Sequence, residues 1–173
     1  MSLITNIEEG EYGLEGFTRW ELFDEEIEVG IDEEVDLAYA EKCAEMLNAL
    51  PEETIQAIWT AAKKYCLYFM ELCGSDWDDW NKMSFEVTEE TPAEKLKSEI
   101  FPSVLIINEP EDERIGFHVE CNCSWEREHG LEITILDGKL VYLGAFESCG
   151  AWDNFDPGDE WNFVNDIDDD DEE

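Results

Sequence analysis

Basic residues are scarce in this sequence. Ten lysines and arginines stand against 47 aspartates and glutamates in 173 residues, a formal charge of −37. A surface of that sign repels nucleic acid and anionic lipid and attracts basic proteins, which argues against direct nucleic-acid or membrane binding. Long apolar runs are missing too, none approaching the ~20 residues of a membrane-spanning helix. The opening MSLITNIEEGEYG has neither the basic stretch nor the apolar stretch of a signal peptide, so the expected location is cytoplasmic. No G-x-S-x-G, Walker-type loop or H-E-x-x-H occurs, so no catalytic constellation is recognisable and the chain reads as a non-enzyme without a cofactor.

A core is nevertheless affordable in composition, with 43% hydrophobic and 12% aromatic residues over the length of one domain. Ile27, Val29 and Ile31 alternate with Glu28, Gly30 and Asp32, and two short strands are expected at 12–21 and 25–31. Asp32 is placed to cap a helix opening on Glu33 and Glu34, with Val35, Tyr39, Cys43, Met46, Leu47 and Leu50 at helical spacing. Pro51 separates it from a second helix carrying Ile55, Ile58, Trp59, Ala62, Cys66 and Phe69 and ending at Gly74. The two are expected to form a helical hairpin. TPAEKLKSEIF has capping-box spacing at Thr91 and Glu94 and predicts a short third helix.

From SVLIINE onward the period changes to two, predicting four antiparallel strands. The last pair is joined at Asp137-Gly138, a dipeptide suited to a type I′ turn. The fold class is therefore α+β, an antiparallel sheet of about four to six strands packed on the hairpin and the third helix. One acidic domain is expected over residues 1–152, followed by an acidic, mobile tail at 153–173. Without that tail the body still carries 36 acids against 10 bases.

Metal chemistry is considered at His118, Cys121, Cys123 and His129. Strand alternation puts His118 on the face opposite Cys121 and Cys123, and no metal site is expected. The C-terminal acids lack the glycine and the spacing of a calcium loop. Six cysteines in a chain of this length, with Cys43, Cys66 and Cys73 on helical apolar stripes, are expected as reduced, buried thiols. Partner-binding candidates are Trp77, Asp78, Asp79 and Trp80 in SDWDDWNK, and Glu126, Glu128 and His129 in SWEREHGL. Aromatic anchors inside an acidic rim are suited to a protein interface.

The stretch W-x-x-E-H-G-L followed by EITILDGKLVYLG, with a looser match in GFTRWELFDEEIEVGI, resembles a family of small bacterial domains of unknown function. In it a tryptophan and an E-H-G turn precede a hairpin ending in glycine, and some members near polymorphic toxin genes are presumed immunity proteins. The matching positions are Trp125, Glu128, His129, Gly130, Leu131, Gly138 and Gly144, and the family brings no catalytic residues. Trp125, Gly130, Leu131, Gly138 and Gly144 are expected to be structural. The resemblance and the charge together imply an immunity-type binding protein that neutralises a basic partner such as a toxin nuclease. The alternatives are a DNA mimic built on DWDDW and DIDDDDEE, or a domain whose acidity serves only solubility in salt.

Overall fold

Alternating burial builds the strands. The computed structural model describes residues 2–11, 13–148 and 150–165. Ile27, Val29 and Ile31 face the core from β3 (Glu25–Asp32), which pairs antiparallel with β2 (Gly13–Trp20). The four strands expected downstream are β4 (Ile100–Ile107), β5 (Gly116–Cys123), β6 (Leu131–Leu136) and β7 (Lys139–Gly144). Asp137 and Gly138 both have positive φ, 53° and 80°, in the tight turn between β6 and β7.

The sheet has seven strands in chain order, exceeding the four to six expected. The additional strand is β1 (Thr5–Glu9), exposed throughout and paired with β2. It has no buried face, so hydrophobic alternation could not mark it. All neighbours are antiparallel except β3 and β4, which run parallel because the helical region crosses between them. One row of pairs, Val29, Leu105, Val119, Ile133 and Leu143, crosses the sheet and lines the core.

Helix α1 spans Leu37–Leu47 and is capped by Asp36, whose side chain accepts from Tyr39 N at 2.8 Å. The expected cap at Asp32 is displaced because Asp32 still pairs with Gly13 in the sheet. Helix α2 spans Glu52–Cys73, follows Pro51 and ends at Gly74, whose φ is 56°. Both helices of the expected hairpin are present, and both contribute to one core. Close backbone approach links α2 to β7 and to the 3-10 segment Ala93–Glu99. That segment replaces the third α-helix, and Thr91 accepts from Thr88 N instead of capping it.

The packed body also extends past the expected boundary at 152. Phe155 stacks on Tyr142 at 5.9 Å, and Phe163 is buried against Tyr65 and Tyr68. Asn162 donates to Val141 O and accepts from Leu143 N, covering the β7 edge. These apolar anchors sit inside an acidic composition that concealed them. Residues 166–173, with the run of the expected tail, lie outside the described residues.

Candidate functional site

The turn between β5 and β6 uses most of its chemistry internally. Glu126 is buried, and its Oε1 accepts from the backbone N–H of Glu128 at 2.9 Å and of His129 at 3.3 Å. Its Oε2 lies 2.8 Å from His129 Nδ1. This hydrogen bond and the charge of Glu126 raise the His129 pKa above its ordinary 6.5. A carboxylate that gathers two backbone amides and an imidazole organises the loop, as an aspartate organises an Asx turn. Glu126 is therefore an inward residue, contrary to its expected place among the partner contacts, whereas Glu128 and His129 are exposed.

Gly130 has φ 66°, and a Cβ there would meet Cys121 O at 2.4 Å, so both conformation and space demand glycine. Its carbonyl accepts from Tyr65 OH at 3.0 Å, tying the turn to α2. Trp125 and Leu131 are fully buried, with the Tyr65 ring edge-on to Trp125 at 5.6 Å. Gly144 is buried, and a Cβ there would meet Trp161 O at 2.4 Å.

Folding joins the two groups of candidates. Trp77–Trp80 form the short helix α3, and Trp80 Nε1 donates to Trp125 O at 3.0 Å. The Arg127 guanidinium lies 5.1 Å from the Trp80 ring centre, so Asp78, Asp79, Arg127, Glu128 and His129 border one surface. The expected exposed anchors are only half available. Trp77 packs against the core, and Trp80 approaches Phe69 at 6.3 Å.

A second polar group, missed by sequence reasoning as a unit, lies on the sheet face opposite the core. His118 Nδ1 meets Glu132 Oε2 at 2.8 Å and its Nε2 meets Asn108 Oδ1 at 3.0 Å. Both His118 and Glu132 are buried, and Ala151 and Trp152 pack close to Gly116 at the start of the same strand. With both ring nitrogens engaged, His118 serves as a buried connector. The available signal was LEITIL, whose Glu132 and Thr134 alternate with apolar residues and so demanded polar company on the second face.

His118 stands opposite Cys121 and Cys123, as alternation predicted. Cys43, Cys66, Cys121 and Cys123 are buried, Cys73 is half-buried, and Cys149 lies outside the described residues. Burial pushes the Cys43 and Cys66 thiols up to about 12, far from nucleophilic use at neutral pH. Among the described residues, no three metal-ligating side chains gather, and no helix is long and apolar enough to cross a membrane.

These features define a mixed α+β domain: one sheet, two long helices and a turn whose Glu126 carboxylate is bonded within the turn while the buried Trp125 Nε1 has no hydrogen-bond partner. A family model described as a domain of unknown function (DUF6985) matches residues 4–150, and the chain belongs to that family. No curated protein matches the chain, and neither does any solved structure.

Proposed function

We propose that this chain is a bacterial, cytoplasmic binding protein of immunity type that neutralises a basic protein partner, such as a toxin nuclease domain, without catalysing a reaction. The observation that carries this reading is the charge of the folded body. Residues 1–165, which include every helix and strand among the described residues, hold 40 acids against 10 bases. A folded, strongly acidic surface steers cationic proteins toward it and fixes their orientation. The inward use of Glu126 and the double engagement of His118 favour binding over acid–base catalysis, because neither group is open to a substrate.

Coexpression with the product of the adjacent gene tests the reading. Growth should be restored when that product is toxic, and the purified complex should weaken as salt rises from about 0.05 M to about 0.5 M. A complex indifferent to salt, or no rescue, overturns it. Release of basic enzymes from duplex DNA by this protein alone would favour the DNA mimic, and unfolding at low salt without a partner would favour salt adaptation.

A further inference from the structure

The sheet face turned away from the core is left open over β2, β3 and β4. The register sets Glu15, Gly30 and Ile106 side by side, and Phe17, Glu28 and Val104 in another row. Gly30 lies at the middle of this surface. It has no positive φ, and a Cβ built on it meets nothing within 4 Å. Neither backbone geometry nor internal packing requires a glycine there, although glycine weakens a strand interior. The remaining use of such a residue is to let something outside the fold come close to the backbone.

Two cavities meet at Gly30, of about 470 Å³ and about 230 Å³. Their floor includes Phe17, Val104 and Ile106, and their rim carries Glu8, Glu11, Glu15, Glu28, Asp32 and Glu33. Among the described residues, no lysine or arginine lines either cavity. An apolar floor under a carboxylate rim complements lysine and arginine in two ways: the aliphatic stem covers the floor and the charged head reaches the rim. The spaces hold a few side chains, whereas a helix about 10–12 Å across would not enter them. The carboxylates border the apolar floor, and among the described residues none join a cluster of three metal-ligating groups.

We propose that this groove, centred on Gly30 and reaching from β1 to β4, receives an extended lysine- or arginine-rich segment of the partner. The inference rests on the basic-partner reading above and assigns it a place.

The probe is a peptide of about eight residues alternating lysine and valine, long enough to cross four strands about 4.8 Å apart. Calorimetry and amide chemical-shift mapping with the full chain should show salt-sensitive binding, with the largest shifts at Glu28–Ile31 and Val104–Ile107. Gly30→Val fills the floor in a strand conformation that valine favours, so it should melt no lower than the wild type yet bind at least about tenfold more weakly. The pair Glu15→Gln and Glu28→Gln should also weaken binding and flatten its salt dependence. Equal binding by wild type and Gly30→Val, with shifts at Trp77–Trp80 or Arg127–His129, overturns the groove and leaves the basic-partner reading standing. No salt-sensitive binding of the peptide overturns both.

Discussion

The turn at Ser124–Gly130 and the strand surface at Gly30 are opposites. The turn carries the residues that most resemble a site: a tryptophan, a buried carboxylate, an imidazole and a glycine. Its carboxylate and imidazole are occupied with each other and with the backbone of the turn. The surface at Gly30 carries a residue without a side chain, and the space above it is open. Reactive side-chain types mark a site only when the fold leaves them unsatisfied, and a missing side chain is informative where nothing inside the protein requires it.

The comparison breaks most visibly if the turn proves dispensable. Trp125→Ala should lower stability by roughly 3–5 kcal/mol in urea denaturation, because a fully buried indole leaves a cavity between the sheet and Tyr65. Gly130→Val should cost roughly 2–4 kcal/mol, combining strained positive φ with a clash against Cys121 O. Glu126→Gln, which cannot serve all three donors as the carboxylate does, should cost roughly 1–3 kcal/mol. Its affinity for the basic peptide should be unchanged, since Glu126 faces inward. Loss of binding without loss of stability would return Glu126 to the interface.

The fold was legible wherever burial is periodic. Strands β2 to β7 and both long helices follow from side chains that alternate or recur on one face. Strand β1 was not legible because TNIEE has no buried side and is held by its pairing with β2. The α1 cap was misplaced because β3 extends to Asp32, a matter of register with Gly13. In the site, the turn could be read from Gly130, but the bond from Trp80 to Trp125 O joins segments 45 residues apart. The His118–Glu132 pair likewise depends on strand pairing. Gly30 looked like one more polar partner in an alternation, since openness is a property of the assembled sheet.

At Gly30 the expected effect is smaller and of opposite sign. Gly30→Val should leave stability unchanged or raise it by about 0.5–1 kcal/mol, because the unfolded chain loses freedom and the strand gains a β-branched residue. A large destabilisation would show that the glycine answers an internal need and that the contrast with the turn is false.

The smallest effect belongs to His129. Its folded pKa is raised, chiefly by the hydrogen bond that Nδ1 donates to the Glu126 carboxylate, so the protonated imidazole favours the folded state. The sign follows: this contribution is fully present below the unfolded value of 6.5 and disappears as pH rises through the raised folded value. Because the acidic body becomes less self-repelling as pH falls, the wild-type melting temperature alone cannot isolate the effect. The difference between wild type and His129→Ala can, measured at intervals across that window. It should be largest on the acid side and shrink above the folded pKa, while peptide affinity at Gly30 changes little. A difference that grows as pH rises would mean the neutral imidazole is the form the turn prefers, and the exposed ring would then have to act through a contact other than Glu126.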